Sequence, residues 1–138
     1  MTFAEAGAQR DAIGAGLVKA GGLSAGDAVG LYSVNCRDWA LVDAALHAHA
    51  LVAVPLYDTL GEDAVRYIAE HAGLAAVACS VETAPVLLAT LAAADAPRAV
   101  RLVVVFGLPP GSPPPPAPPG WAGTVLTLDG VRALGASS

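Results

Sequence analysis

Basic residues are scarce in this chain, and their scarcity excludes two classes of binding partner. The sequence contains seven lysines and arginines against twelve acidic residues, and its formal net charge is −5. Because a protein that binds nucleic acid clusters Lys and Arg against the phosphates, we expect no nucleic-acid partner. The basic residues are also scattered along the chain, so no polybasic patch is available for an anionic membrane surface.

Cysteine and long apolar runs are limited as well. Cys36 and Cys79 are the only cysteines, and without motif spacing they indicate reduced, structural thiols and an intracellular protein. The opening segment contains Glu5 and Arg10 and lacks the order of a signal peptide, so we predict none. The apolar run 84–94 is far shorter than the roughly twenty residues of a membrane span.

Residue patterns for metal or phosphate chemistry are also missing. His47 and His49 stand two positions apart on a predicted helix, so their side chains diverge by about 200° and do not converge on one metal. We expect His49 to pack on the apolar face and His47 to face solvent, while His71 suits the negative end of its helix. The glycine-rich stretches 21–22 and 120–124 lack the lysine of a phosphate loop. The sequence therefore predicts no catalytic, cofactor-binding or metal-binding residue.

The sequence does contain a regular alternation of strand and helix patterns. A first helix, predicted from Thr2 to about Ala20, is closed by the glycine pair that follows it. The remaining predicted elements are strand 28–32, helix 36–50, strand 52–54, helix 60–72, strand 74–79, helix 82–94, strand 101–106, strand 124–128 and a helix from Asp129 to Ser138. Strict alternation implies right-handed crossovers, so we predict an α/β fold with a mostly parallel sheet.

Three local signals make this prediction more specific. Asn35 suits the N-cap of the second helix, since its side-chain oxygen can accept from the free N–H groups of the first turn. The run Leu51–Leu56 predicts a buried strand that ends at Pro55. Thr59 and Glu62 fit the capping box that starts the next helix.

A proline-rich segment separates the fourth and fifth predicted strands. Leu108–Gly120, LPPGSPPPPAPPG, has few backbone donors and favours an extended polyproline II conformation. The interpretation that we favour is a surface loop. The alternative is a ligand for an SH3 or WW domain, because Pro-x-x-Pro patterns bind such grooves. No basic residue flanks the segment to set its orientation, which weakens the alternative.

Tyr57 and Asp58 follow a predicted strand at the end where open α/β sheets usually bind ligands. The two residues either line a binding cleft or, together with Thr59, form the turn before the third helix. We favour the turn, because aspartate and threonine side chains organise turns of this kind.

The stretch VAVPLYDTLG at Val52–Gly61, with Asn35–Trp39 before it, resembles the eukaryotic long-chain acyl-CoA synthetases of the adenylate-forming superfamily. Thr2–Glu5 is similar to the opening of that family, and Gly14–Leu17 is similar to the end of its first helix. Asp63–Ile68 looks like the helix that follows the family's PLYDTLG loop. The resemblance covers residues 2–106 and fades in the proline-rich segment.

The resemblance implies a two-step reaction for the family. ATP and a fatty acid give an acyl-adenylate and pyrophosphate, and CoA then displaces AMP, with Mg²⁺ accompanying ATP. Family members work at endoplasmic reticulum, peroxisomal or plastid-envelope membranes, and we expect peripheral membrane contact and compartment signals to come from parts outside this segment. The family's phosphate loop, adenine motif, ribose aspartate and catalytic lysine have no matching positions here, so no catalytic residue is carried over.

Residues 1–138 are therefore expected to form a partial N-terminal domain of AMP-binding type, with the proline-rich loop at 108–120 inside it. Members of the family are several times longer, so we predict that this chain binds no cofactor and is inactive alone, with the remainder of a synthetase as its partner. The alternative is a truncated, non-catalytic paralogue that acts as an interaction module. A weaker alternative is an independent flavodoxin-like domain with a small ligand. Acyl-chain specificity, compartment and oligomeric state stay open.

Overall fold

The computed structural model describes residues 2–137, and Met1 and Ser138, the last residue of the predicted final helix, lie outside the described residues. Helices and strands follow one another in the predicted order, and the helix ends within the described residues differ from the prediction by less than one turn. The predicted α/β fold is confirmed. The elements are α1 (Phe3–Gly21), β1 (Ala28–Tyr32), α2 (Arg37–Ala48), β2 (Val52–Leu56), α3 (Glu62–Ala72), β3 (Ala76–Ser80), α4 (Ala84–Ala92), β4 (Leu102–Phe106), β5 (Thr124–Thr127) and α5 (Leu128–Ala136).

The strands form one five-stranded parallel sheet in the order β2-β1-β3-β4-β5. Val29 of β1 is paired with Ala53 of β2 on one side and with Ala76 of β3 on the other. The chain therefore leaves β1 for β2 on one side and later returns past β1 to β3. The carboxyl ends of β1 and β3 mark the point where the strand order reverses, and open α/β sheets usually bind ligands at such a point.

Helices cover both faces of the sheet. One core contains α1, α2 and α5 together with strand residues such as Leu31 and Val104, and the other contains α3 and α4 together with Tyr32 and Val105. Successive residues of a strand point to opposite faces, so the central strands are apolar on both sides. α2 and α3 lie on opposite faces and carry the chain in opposite directions, as crossovers of one constant hand require.

No helix connects β4 to β5. Residues 107–123 form an extended segment instead, which we call the strap, and the proline-rich loop lies within it. Leu108 and Trp121, near its two ends, pack against the α3 and α4 core. Trp121 Nε1 also donates a hydrogen bond to the Val100 carbonyl at 3.0 Å. The predicted loop between the fourth and fifth strands is confirmed, and it occupies the place of a crossover helix.

α1 and α5 contact each other backbone to backbone. A Cβ atom at Gly16 of α1 would collide with the Val131 carbonyl of α5, and a Cβ atom at Gly135 would collide with the Ala12 carbonyl. Glycine is therefore the residue that lets the two helices approach this closely. The absence of a side chain at Gly14 likewise leaves room for the His49 ring of α2.

The predicted N-cap at Asn35 is wrong. Cys36 occupies that position, no side chain caps the first turn of α2, and the helix begins at Arg37. The Ala40 N–H bonds to the Cys36 carbonyl at 3.0 Å, which places the first helical bond one residue later than expected. Asn35 is left exposed, outside the helix.

The predicted capping box at Thr59 and Glu62 is also wrong, because α3 begins after Gly61 without a side-chain cap. The reason is a tertiary contact. The Tyr32 hydroxyl donates to the Leu60 carbonyl at 2.5 Å, and the Leu60 N–H bonds to the preceding turn at 3.1 Å, so Leu60 is held outside the helix.

A capping box does start α1. The Glu5 N–H donates to the Thr2 hydroxyl at 3.1 Å, and the Thr2 N–H donates to the Glu5 carboxylate at 3.4 Å. These two bonds satisfy backbone donors that the first turn of a helix leaves free. At the other end, Gly22 closes α1 in the left-handed conformation, as the glycine pair predicts.

β2 differs from its prediction because it lies at an edge of the sheet. The run Leu51–Leu56 predicts a buried strand, yet Val52 is 49% exposed. Pro55 lies within the strand, paired with Leu31 of β1, and does not end it. An edge strand accepts proline because one of its two sides has no ladder to join.

Replacing Gly16 with alanine tests the contact between α1 and α5. The new methyl group would collide with the Val131 backbone, so we expect the free energy of unfolding to fall by about 1–3 kcal/mol, the typical cost of overpacking. Gly7→Ala is the matched control in the same helix, where the nearest atom to the new methyl group lies 3.8 Å away. For Gly7→Ala, helix propensity predicts a rise of up to about 1 kcal/mol in the free energy of unfolding. Urea unfolding followed by circular dichroism measures this free energy for both variants. An equal change in the two would contradict the close contact between α1 and α5.

Candidate functional site at the carboxyl edge

The carboxyl edge of the sheet is the candidate site, because the strand order reverses there between β1 and β3. Three loop segments lie at this edge nearest to the reversal: residues 33–36 after β1, 57–61 after β2 and 81–83 after β3. The polar and apolar groups on these segments determine what the edge is able to bind.

Hydroxyl groups close the crevice between β1 and β3. The Thr83 hydroxyl donates to the Tyr32 carbonyl at 2.6 Å, and Ser80 Oγ lies 3.1 Å from Thr83 Oγ1. Ser80 and Thr83 are 6% and 4% exposed, so the bonds are shielded from water. These bonds join the start of α4 to the end of β1, and the hydroxyls that form them are occupied within the protein. The network goes beyond the sequence predictions, and its one signal is the Ser-x-x-Thr spacing directly after a buried strand.

Two ionisable side chains beside the crevice are held neutral. Burial raises the pKa of Tyr32 above its ordinary value, and nearby Cys79 and Asp58 raise it further. Burial raises the pKa of the Cys79 thiol to about 12. Both groups therefore stay protonated at neutral pH. Tyr32 acts as a hydrogen-bond donor, Cys79 acts as an apolar core residue, and neither is an activated nucleophile.

A hollow of about 230 Å³ opens beside the ends of β1 and β2. Tyr57 reaches it, whereas Asp58 and Thr59 are the central residues of a turn that the Leu60 N–H closes on the Tyr57 carbonyl at 3.1 Å. The structure thus agrees with the turn interpretation of this segment and leaves Asp58 outside the hollow. The residues that line the hollow are Ser33, Asn35, Trp39, Pro55, Leu56 and Tyr57.

The histidines lie apart from one another. His47 is exposed, and its Nδ1 lies 2.8 Å from the carbonyl of Asp43. His49 is half-buried, as expected for a packing residue, with its Nδ1 3.1 Å from the carbonyl of Ala45. The His71 ring stacks on a tyrosine one turn earlier. Within residues 2–137, no group of three or more His, Cys, Asp or Glu side chains is arranged to hold a metal ion.

Three of the side chains that the carboxyl edge exposes are apolar, and they stand among the exposed polar residues Asn35, Asp58, Thr59 and Glu82. Val34, Tyr57 and Val81 follow β1, β2 and β3, and they are 54%, 80% and 37% exposed. We call these three residues the edge patch. Single exposed apolar residues are common on protein surfaces, but these three follow neighbouring strands at one edge, and Tyr57 also lines the hollow. Such grouping is typical of a surface that another protein segment covers.

Comparison with known proteins identifies the class. A family model described as AMP-binding enzyme matches residues 1–120, and the chain belongs to that family. Its sequence matches the N-terminal part of long-chain acyl-CoA synthetases, as the PLYDTLG stretch indicates. The peroxisomal long chain acyl-CoA synthetase 7 of Arabidopsis thaliana is 42% identical over 140 residues, which cover 100% of this chain and 19% of the relative. The peroxisomal synthetase 6 of the same plant is 48% identical over 107 residues, which cover 78% of this chain and 15% of the relative.

Solved structures share the fold. The A domain of a carboxylic acid reductase from Segniliparus rugosus, in complex with AMP and a co-purified carboxylic acid, aligns with a TM-score of 0.82 at 24% identity, covering 98% of this chain and 23% of that chain. The N-terminal domain of FACL13 from Mycobacterium tuberculosis aligns with a TM-score of 0.73 at 24% identity, covering 100% of this chain and 29% of that chain. At this identity the likeness establishes the fold, and the family assignment comes from the sequence matches.

Two expectations remain predictions. Assignment of residues 1–138 to a partial domain is one, and the absence of catalytic, cofactor-binding and metal-binding residues is the other. Among the described residues, no helix is long and apolar enough to cross a membrane.

Substituting Thr83 tests the hydroxyl network. Thr83→Val removes the bond to the Tyr32 carbonyl and leaves buried polar atoms unpaired, so we expect the free energy of unfolding to fall by about 1–3 kcal/mol. Thr90→Val is the matched control, since Thr90 is 2% exposed and its hydroxyl bonds only within α4, to the Val86 carbonyl. In urea unfolding we expect Thr90→Val to lower the free energy of unfolding by clearly less than Thr83→Val does. An equal loss for the two variants would show that the network adds nothing beyond a local bond.

Thiol reactivity tests the burial of Cys79. At mildly alkaline pH we expect a thiol reagent to modify Cys36, which is exposed, and to spare Cys79 until the chain is unfolded in urea. Because burial raises the pKa of Cys79 from 9.0 to about 12, its contribution to stability is complete below pH 9 and is lost as the pH rises toward 12. Mass spectrometry of the labelled chain measures the reaction, with Cys36→Ser as the control that should take up no reagent in the folded state. Rapid labelling of that control would contradict the burial.

Proposed function

We propose that this chain is the N-terminal scaffold of a long-chain fatty acid–CoA ligase and that it takes no direct part in the chemistry. In the proposed reaction, ATP and a fatty acid give an acyl-adenylate and pyrophosphate, and CoA then displaces AMP. ATP, Mg²⁺, CoA and the fatty acid bind to parts of the enzyme outside this chain. The support comes from the match to synthetases of which this chain spans 19% and 15%.

The edge patch is the observation that carries the scaffold role. The hydroxyls of the Ser80 and Thr83 network are occupied within the protein, so the crevice presents no cluster of free polar groups to a substrate. The carboxyl edge does offer the exposed apolar side chains of Val34, Tyr57 and Val81 to a neighbouring protein segment, set among exposed polar residues. We propose that the remainder of a synthetase packs against this edge and that the sheet positions that remainder beside the ligand-binding cleft.

The proposal extends to the compartment. The two plant relatives are peroxisomal by name, and this favours a peroxisomal role for a synthetase that contains this chain. Peripheral association with a membrane, if the synthetase shows it, comes from segments outside this chain.

Activity assays test the scaffold role. The purified chain should give no ATP–pyrophosphate exchange with palmitate, because it lacks the phosphate loop of the family. A chimera in which the chain replaces the matching segment of the peroxisomal synthetase 7 of Arabidopsis thaliana should keep palmitate–CoA ligase activity. Exchange by the chain alone would contradict the proposal. A folded but inactive chimera would also contradict it and would support a non-catalytic interaction module.

A charged substitution in the edge patch tests whether the remainder of the synthetase packs there. Val81→Asp introduces a charge into the edge patch, so we expect it to lower the thermal midpoint and the activity of the chimera. Val18→Asp is the matched control, because Val18 lies on α1 and is 37% exposed, as Val81 is. In the chain alone, each substitution should change the free energy of unfolding by only about 0.5 kcal/mol. Equal losses for both variants in the chimera would argue against the edge patch as the packing surface.

A further inference from the structure

The burial of the strap repeats every three residues. Ser112 and Pro115 are half-buried and Pro118 is buried, while the residues between them, 113–114 and 116–117, are exposed. A repeat of three is the period of the polyproline II helix, which has three faces. One face of the strap therefore lies against the body of the protein, and the other two point to solvent.

A turn closes each end of the strap, and Leu108 and Trp121 pack the two ends against the body of the protein. The Ser112 hydroxyl donates to the Pro109 carbonyl at 2.6 Å, and the Ser112 N–H bonds to the same carbonyl at 3.1 Å. At the far end, Trp121 donates its backbone N–H to the Pro118 carbonyl at 3.3 Å and its indole N–H to the Val100 carbonyl at 3.0 Å. A segment that is ordered before binding loses little conformational entropy when a partner binds it.

The solvent-facing side of the strap offers few kinds of chemical group. Pro113, Pro114 and Pro116 are exposed, proline has no N–H, and no charged residue occurs from residue 107 to residue 123. The outer faces therefore offer proline rings and carbonyl acceptors. The complement to such a surface is an uncharged groove of aromatic rings that carries N–H or O–H donors, and Pro-x-x-Pro ligands bind grooves of this kind.

We propose that the two outer faces of the strap bind a protein domain with an uncharged, aromatic-lined proline-recognition groove of the WW class. Pro113 and Pro116 lie three residues apart on one outer face, and Pro114 lies on the next. Their rings fill the pockets between the aromatic side chains, and strap carbonyls accept from the groove's donors. An SH3 domain fits less well, because the acidic pocket of its groove pairs with a basic residue of the ligand. The strap contains no basic residue. This inference is independent of the proposed ligase role.

Titration of a labelled probe tests the proposal. The probe is a purified, ¹⁵N-labelled WW domain that binds uncharged proline-rich peptides, and the titrant is the unlabelled 138-residue chain. We expect a saturable shift of the groove tryptophan indole N–H. The double variant Pro113→Ala, Pro116→Ala should weaken the binding by about tenfold or more, because it removes both rings from one outer face.

A matched pair of substitutions separates the outer faces from proline content. Pro110 and Pro119 are also exposed, but each lies inside the turn that ends the extended stretch, closed by the Pro109 carbonyl at one end and the Pro118 carbonyl at the other. The double variant Pro110→Ala, Pro119→Ala should therefore bind within about twofold of the unchanged chain. Circular dichroism establishes that both double variants are folded. Equal weakening by both pairs, or no shift of the indole N–H with the unchanged chain, would overturn the proposal. Loss of the shift with a synthetase-length protein that contains the chain would also overturn it, because other segments would then cover the strap.

Discussion

The rest of the structure depends on the burial of β3 and β4 on both faces. Every residue of these two strands is buried, so both faces of the sheet must be covered, and parallel strands need crossovers that supply the cover. One face carries three helices, of which α1 and α5 meet through Gly16 and Gly135. The other face carries two helices, and the strap completes the cover with Leu108 and Trp121.

The same constraint shapes the carboxyl edge. Parallel strands place all their carboxyl ends together, and in many α/β proteins this edge holds the ligand. Here Thr83 joins α4 to β1 across the crevice, and the neighbouring loops expose Val34, Tyr57 and Val81. Fold does not by itself imply function. The scaffold role that we propose for this edge rests on these exposed apolar side chains, in a chain that matches the N-terminal part of long-chain acyl-CoA synthetases.

Much of the fold can be predicted from periodicity alone. β1 has the bounds that its pattern indicates, and Gly22 and Gly73 close their helices in the left-handed conformation that glycine adopts readily. The candidate site was less predictable. The bond from Tyr32 to Leu60 delays the start of α3, and Thr83 finds its partner 51 residues earlier in the chain, so neither contact is visible in a local pattern.

By itself, the sequence determined the alternation of elements, the parallel sheet, the family and the extended nature of the proline-rich segment, because each depends on short-range spacing or on local residue identity. Tertiary structure alone decided the strand order, and with it the position of β2 at an edge that tolerates Pro55. It also decided which side of the strap faces solvent and which groups close the carboxyl edge. The physical reason is that pairing and burial depend on contacts between residues far apart in the chain, and these contacts override local capping preferences of a kcal/mol or so.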